Sequence, residues 1–213
     1  SGAWNTAIFK LGHESAVQGA WRVAFLDDDD AWLPDHLATV TNAFDSGALW
    51  CATGFERISQ SKRRAVIPPA RVSPEDFHVG NPGIQGSNLA VDLELLQRVG
   101  GFDEALQACT DRDLCIRLSR LAGDRYVSSS KVTVQHFACE GRPRLSSFGD
   151  KRRLAGLAAF ERKHGPLMKT SDLKAFRDRA ERYFGYCSSE SKTEGARPRP
   201  HPKCSPQSAE NSA

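Results

Sequence analysis

Four adjacent aspartates, Asp27–Asp30, are the residues of this chain whose types and spacing are best suited to chemistry. Unit charges about 6 Å apart repel one another by nearly 3 kcal/mol at an effective dielectric of about 20, so the cluster is electrostatically unfavourable by itself. A divalent cation would relieve the repulsion, because hard cations prefer oxygen ligands. The run therefore indicates a site for a metal ion or a diphosphate.

The segment before the aspartates suggests where that site lies in the fold. Val23–Leu26 is short, wholly apolar and bounded by charge, which favours a strand buried on both faces. If the chain stays extended, Asp27 and Asp29 point to one side and Asp28 and Asp30 to the other. This D-x-D spacing would lie at the carboxyl end of a strand, where open α/β sheets bind ligands.

Helix capping is the simpler explanation of the same aspartates. The segment that begins at Pro34 has the pattern of a helix with proline in its first turn. Its capping position would then fall on Leu33, and only Asp30 would come close to it. Four carboxylates are not needed for a cap, but a plain solvated turn stays open as an alternative.

Strands alternate with helices along the rest of the chain, which favours an α/β fold with a mixed sheet. Residues 188–213 are polar and rich in Pro and Ser, so we expect a disordered tail after a domain of residues 1–187. The other predicted strands are Ala48–Phe55, Ser87–Val91 and Lys131–Phe137. The predicted helices are Gly2–His13, one from Pro34, one between an Asp92 cap and Gly100, Thr110–Asp124, Lys151–Gly165 and Ser171–Tyr186.

Composition limits the partners and the compartment. The 29 Lys and Arg residues nearly balance the 26 Asp and Glu residues, so the charge of +3 gives no reason to expect a nucleic-acid partner. We expect no transmembrane segment and see no signal-peptide pattern, while a peripheral membrane contact stays open. The six cysteines form no CxxC pair and no zinc spacing. Idle thiols are typical of a reducing compartment, so we expect a cytoplasmic protein.

Three segments, in this order and spacing, resemble the nucleotide-sugar glycosyltransferases of family 2. They are FLDDDDAWLPDHL, GSNLAVDLELLQRVGGFDEAL and TDRDLCIRL, and SGAWNTAI resembles the segment just before the D-x-D of that family. The resemblance implies a Rossmann-like mixed sheet flanked by helices, of the nucleotide-diphospho-sugar transferase type. It also implies metal-dependent transfer of a sugar from a nucleotide diphosphate to an acceptor hydroxyl, with inversion. The donor would be UDP-linked, which is the commonest choice in the family.

The resemblance also implies roles for particular residues. Asp29 would be the direct ligand of Mg²⁺ or Mn²⁺, and Asp27 would lie nearer the ribose or a metal-bound water. Asp111 matches the carboxylate that acts as the base, although Thr110 stands where the family usually has Glu. An ordinary helix cap, worth about 0.5–2 kcal/mol, is compatible with that role, because a helix N-terminus keeps a carboxylate ionised. For Asp113 we prefer a capping box with Thr110.

Other candidates depend on weaker signals. Asn5 falls in the segment before the D-x-D, and we include it among the substrate-binding residues. His136 lies in a predicted strand and could approach the metal or the acceptor, or be structural. Arg142 and Arg144 could clamp a diphosphate or be solvated loop charges.

Nothing in the sequence matches the first strands of the family, which hold the nucleobase and ribose. We therefore expect an N-terminally truncated transferase that is weakly active or inactive by itself. A non-catalytic remnant or interaction module of the same fold is the alternative. A phosphatase with an aspartyl nucleophile would want Thr or Val where Ala31 stands, and a nucleotidyl transferase would want a Gly-rich phosphate loop.

Overall fold

The computed structural model describes residues 2–18, 21–60, 62–138 and 148–188. Its strands are β1 (Arg22–Ala24), β2 (Asp30–Trp32), β3 (Trp50–Ile58), β4 (Arg63–Val66), β5 (Leu89–Asp92) and β6 (Tyr126–Phe137). Within these ranges the strands form one sheet in the order β1, β5, β3, β6, β2, and β4 pairs with β3. The β3–β6 pair is parallel and the other pairs are antiparallel, so the predicted mixed α/β sheet is confirmed.

Helices flank both faces of this sheet. They are α1 (Gly2–Gln18), α2 (His36–Asp45), α3 (Asp76–Val79), α4 (Leu93–Arg98), α5 (Thr110–Ala122), α6 (Lys151–His164) and α7 (Thr170–Phe184). A short 3₁₀ turn at Gly86–Asn88 leads into β5. None of the helices in the described ranges is long and apolar enough to cross a membrane.

Strand β3 divides the core in two because its side chains alternate between the faces of the sheet. Trp50 and Ala52 point into the larger core, which contains residues of α1 and of α3 to α7. Cys51 points the other way and packs with Val40 and Phe44 of α2. The α5 helix is anchored in the larger core by three fully buried side chains, Leu114, Ile116 and Leu118.

The sequence predicted several element ends correctly. Asp92 caps α4, since its side chain accepts a hydrogen bond of 3.1 Å from the backbone N–H of Leu95. Gly100 follows that helix with a φ of 80°, a conformation that favours glycine. Gly123 ends α5 in the same way, with a φ of 55°.

The predicted start of α2 was wrong. The helix begins at His36, and Pro34 and Asp35 form a turn before it. The backbone N–H of Leu33 is already bonded at 2.8 Å to Thr133 of β6. The chain therefore leaves the sheet at Leu33 and needs the two following residues to turn into the helix.

The predicted boundary of the folded domain lies close to the end of the described chain. Ser188 is buried, and its hydroxyl donates to a carboxylate oxygen of Glu161 in α6 at 3.1 Å. Residues 189–213, nearly all of the predicted tail, lie outside the described residues, so a disordered tail stays a prediction.

Candidate active site

The four aspartates form a tight turn between β1 and β2, which we call the acid turn (Asp27–Asp30). The backbone N–H of Asp30 donates to the carbonyl of Asp27 at 3.2 Å, and Asp28 and Asp29 form the exposed tip. The expected extended alternation, with Asp27 and Asp29 on one side, was therefore wrong. Pairing of Asp30 with His136 on β6 reverses the chain direction and places Asp27 on the same side as Asp30.

Asp30 is the fixed end of the acid turn. Its fully buried carboxylate accepts a hydrogen bond of 2.5 Å from the hydroxyl of Ser87, and Nδ1 of His136 lies 2.9 Å from it. Burial opposes ionisation, but these contacts outweigh it and lower the pKa of Asp30 below its ordinary value. The ionised Asp30 therefore anchors the turn to the sheet and is saturated by protein donors.

Asp27 is half-buried, and its carboxylate is less fully satisfied. Burial raises its pKa, and the nearby charges of Asp30 and Asp29 raise it further, against a weak hydrogen bond from Ser87. Asp29 is exposed at the tip of the turn. The acid turn thus presents the half-buried carboxylate of Asp27 beside the two exposed carboxylates of Asp28 and Asp29, and in the described residues none of the three forms an ion pair.

A two-residue segment connects the acid turn to the second acidic site. The hydroxyl of Ser87 accepts from the backbone N–H of Asp27 at 3.1 Å and donates to Asp30. The preceding residue, Gly86, supplies a backbone hydrogen bond to the carboxylate of Asp111. A Cβ at Gly86 would lie 2.8 Å from the Trp4 ring and 3.3 Å from Oδ2 of Asp27. Glycine is thus suited to this crowded position between α1, the acid turn and α5.

Asp111 lies in the first turn of α5, as the sequence predicted, and is close enough to Asp27 of the acid turn for the two charges to interact. Burial raises the pKa of its carboxyl to about 7, and the charge of Asp27 adds to the effect. The hydrogen bond from Gly86 opposes this shift without cancelling it. A carboxyl with a pKa near neutrality can exchange a proton at physiological pH, as a general base must.

The capping box predicted for Asp113 was wrong. Its carboxylate is fully buried and accepts hydrogen bonds from Nη2 of Arg117 at 2.6 Å and Nζ of Lys163 at 2.7 Å, and Nε2 of His164 lies 2.8 Å away. Burial opposes ionisation, but these donors lower the pKa of Asp113 well below its ordinary value. Asp113 therefore joins α5 to α6 behind the face that carries Asp111.

The remaining predicted site residues have different positions. His136 contacts Asp30, which places it at the acid turn. The Asn5 side-chain amide is bonded to the backbone N–H and carbonyl of Phe102, each at 2.8 Å, so its described contacts secure α1 to the loop after α4. Arg142 and Arg144 fall within 139–147, outside the described residues. The substrate-binding roles proposed for these four residues stay predictions.

The site fits a divalent cation only in part. No group of three or more His, Cys, Asp or Glu side chains that could hold a metal ion occurs in the described ranges. Asp27 and Asp29 nevertheless offer oxygen ligands. Mg²⁺ is commonly held by one or two carboxylates together with substrate phosphates. The described residues are thus suited to hold such an ion together with a diphosphate rather than by themselves.

Sequence reasoning missed two residues that organise the site, Ser87 and Asp30. Ser87 was predicted only as the first residue of the strand Ser87–Val91, and no role was assigned to its side chain. The signal was present, since a serine directly before a buried strand can satisfy groups on the neighbouring strand. Asp30 was placed on the wrong side because the extended alternation was preferred to a turn.

Comparisons with known proteins find solved structures that have a similar fold. No protein-family model matches the chain, and no curated protein matches it. Solved structures do match. The structure of S. aureus TarS 1–349 in complex with UDP-GlcNAc has a TM-score of 0.55 and 14% sequence identity over 84% of this chain. A structure of S. aureus TarS has a TM-score of 0.53 and 13% identity, also over 84% of this chain.

The chain spans about half of the first TarS structure, 52%, and 31% of the second. At such low identity the likeness concerns the fold alone. TarS is a glycosyltransferase. The described part of this chain therefore has a glycosyltransferase-like fold, a mixed sheet flanked by helices.

Proposed function

We propose that this protein transfers a sugar from a nucleotide diphosphate donor to an acceptor hydroxyl, with inversion, in the manner of family 2 glycosyltransferases. One observation carries the proposal. The consecutive residues Gly86 and Ser87 contact Asp111 and the acid turn, respectively, and so hold two separate acidic sites beside each other. Transfer from an activated sugar needs this combination of one acidic site for the donor and another for the acceptor.

The acid turn would receive the donor. Asp29 and Asp27 are the residues that would hold Mg²⁺ or Mn²⁺. Such an ion, when bound, neutralises the diphosphate and makes it a better leaving group. A uridine donor is supported by the TarS structure with the same fold, which contains UDP-GlcNAc.

Asp111 would act as the base. The acceptor hydroxyl would give its proton to the Asp111 carboxylate as its oxygen attacks the anomeric carbon. Attack from the face opposite the departing diphosphate inverts the configuration of the sugar. A pKa of about 7 allows the carboxyl to take up that proton and release it again at neutral pH.

The contacts of Asp30 would keep the acid turn in place during this reaction. Its bonds to Ser87 and His136 join the turn to two neighbouring parts of the sheet. A side chain fixed in this way loses little conformational freedom when the donor binds, which favours affinity. His136 would thus position the donor site through Asp30.

Nucleoside diphosphate release tests the proposal with the full chain. A panel of nucleotide sugars is incubated with Mn²⁺, and the product anomer is identified by NMR. We expect turnover of a uridine donor, and a loss of roughly 10²-fold or more in the Asp29→Asn variant, typical of removing a group that stabilises developing charge. Asp28→Asn, with the same change of charge at the neighbouring exposed position, should retain activity within about threefold.

Two outcomes would contradict the proposal. One is the absence of turnover and of nucleotide binding across the whole panel. The other is an equal loss of activity in Asp28→Asn and Asp29→Asn. That result would show that only the total negative charge of the acid turn matters, and not the position of Asp29.

A further inference from the structure

A cavity of about 240 Å³ has Asp111 in its wall. Its wall includes Asp111, Cys109 and Gln107 around the start of α5, and Arg153 in the first turn of α6. No residue of the acid turn lines it. A ligand in this cavity would therefore meet the base without occupying the acid turn, which is left to the donor.

Arg153 supplies a positive charge to this wall, where the nearby acidic group is Asp111, whose ionised form it favours. Its guanidinium lies 4.3 Å above the ring of Phe184, which fixes its plane. Its Nε is buried and has no hydrogen-bond partner in the described part of the chain, and no carboxylate there pairs with it. A buried donor without a partner costs free energy, and a bound anion that accepts its hydrogen bond would remove that cost.

Arg112 adds a second positive charge to the same wall. Its Nε and Nη2 donate to the carbonyl of Phe77 at 2.9 and 2.7 Å, and Nη2 also donates to the carbonyl of His78, so these donors are occupied. In the described ranges no carboxylate neutralises it. Burial lowers the pKa of Arg112, and the neighbouring charges of Arg153 and Arg179 lower it further. The contact with Cys109 opposes this shift, and an anion in the cavity would relieve the repulsion between Arg112 and Arg153, which share its wall.

We propose that this cavity binds an oxyanion carried by the acceptor, a phosphate or a carboxylate, next to the hydroxyl that receives the sugar. The inference rests on the proposed function, and it adds the chemical class of the acceptor. Arg153 would bind the oxyanion, because guanidinium matches the geometry of phosphate and carboxylate oxygens. Arg112 would contribute charge only.

The size of the cavity limits the group that it accepts. Its volume corresponds to roughly eight water molecules at about 30 Å³ each, enough for a phosphate with a few carbon atoms. Asn81 does not compete for the oxyanion, since its side chain is bonded to the backbone of Gly83 and Ile84. The acceptor that fits is a small polyol phosphate or hydroxy acid, or the end of a longer molecule that carries such a group.

The test compares glycerol, glycerol 3-phosphate and glycerate as acceptors for the full chain. We expect the wild type to prefer one of the charged compounds to glycerol by roughly 10- to 100-fold in kcat/KM, the range for a hydrogen bond to a charged group. Which of the two is preferred identifies the oxyanion. Arg153→Gln should abolish the preference for the charged compound over glycerol, a ratio of two acceptors measured on the same variant.

Two further variants make the result specific to the cavity. Arg152→Gln removes the same charge at the preceding exposed residue, outside the cavity wall, and should keep the preference. Gln107→Glu adds a negative charge at an exposed position of the wall. It should weaken the preference for the charged acceptor without disturbing the core. This second variant decides the question if Arg153→Gln does not fold.

Direct binding separates this inference from the proposed function. Calorimetric titration with glycerol 3-phosphate and with glycerate needs no donor, so it remains informative if no nucleotide sugar is turned over. Binding to the wild type and to Arg152→Gln, but not to Arg153→Gln or Gln107→Glu, would support the inference. Equal use of charged and neutral acceptors, or no binding of either anion, would overturn it.

Discussion

At the scale of single residues, the two acids of the site differ in how the protein treats their charge. Asp30 is surrounded by donors that favour its ionised form, whereas Asp111 receives one backbone hydrogen bond and lies near Asp27. The result is one carboxylate that stays charged and one with a pKa of about 7. Pairs of acids with separated pKa values are a sound basis for assigning acid and base roles in an active site.

The raised pKa of Asp111 predicts a stability that depends on pH. Its ordinary pKa is 3.8, so the folded state holds this proton more tightly than the unfolded state. That preference stabilises the fold fully below about pH 4 and is lost as the pH rises through about 7. Above pH 7 the folded protein must carry a charge that burial disfavours.

Asp111→Asn should therefore be more stable than the wild type at pH 8 and equal to it at pH 4. The free energy of unfolding should increase by at most about 4 kcal/mol, since one pKa unit corresponds to about 1.4 kcal/mol. Partial exposure of the carboxylate reduces this increase. Urea unfolding at the two pH values measures the difference. A variant that is less stable than the wild type at pH 8 would show that the charged form is favoured by the fold.

Sequence reasoning at this scale succeeded for Asp111 and failed for Asp30 and Asp113. The position of Asp111 depends on a local signal, the start of an amphipathic helix. The contacts of Asp30 and Asp113 join residues far apart in the chain, for example Asp30 with His136 and Asp113 with His164. A window of neighbouring residues carries no information about such partners, so a local cap was the best available interpretation for Asp113.

At the scale of elements, the α5–α6 contact holds the base in place. Asp113 of α5 is bonded to Lys163 and His164 of α6, and Arg117 extends the network to the carbonyls of Val99 and Gly101 after α4. These bonds fix the helix whose first turn carries Asp111. They also bring the first turn of α6, with Arg153, to the cavity beside the base.

Asp113→Asn should destabilise the protein strongly, because it leaves Arg117 without its buried counter-charge and Lys163 with only that of Asp103. Breaking a buried ion pair by removing one partner costs about 3–5 kcal/mol. Denaturant unfolding at pH 7 measures the loss, and Asp124→Asn, at an exposed position just after α5, is the matched control. The pKa of Asp113 is lowered from 3.8, so the difference from the wild type should shrink as the pH falls below about 4. Equal stability of the two variants at pH 7 would contradict a joining role for Asp113.

The elements themselves were mostly predictable from hydrophobic patterns. The β3 and β6 segments and the α5, α6 and α7 helices have periodic or continuous apolar stretches, and their predicted existence is confirmed. The errors lie at β2 and the start of α2, where short segments change direction. β2 has three residues and is defined by its pairing with β6, which no local pattern predicts.

At the scale of the whole molecule, the sheet brings together chemistry that is dispersed along the chain. The acid turn joins β1 to β2, Ser87 precedes β5, His136 lies near the end of β6 and Asp111 begins α5. The order β1, β5, β3, β6, β2 and the packing of α5 in the larger core place these four parts around Gly86 and Ser87. The mixed α/β class could be predicted from the alternation of strands and helices, but the strand order could not, because it depends on pairings between distant segments.

The central claim is that the acid turn and Asp111 form one reaction site. Rates of nucleoside diphosphate release with a uridine donor, Mn²⁺ and an acceptor, for the wild type, Asp27→Asn, Asp111→Asn and the double variant, test it most directly. We predict that each single change lowers the rate by roughly 10²–10⁴-fold, and that the double variant loses little more than the more damaged single variant, because residues that act as a unit are strongly non-additive. A wild-type rate for Asp111→Asn, or losses that multiply in the double variant, would contradict the claim.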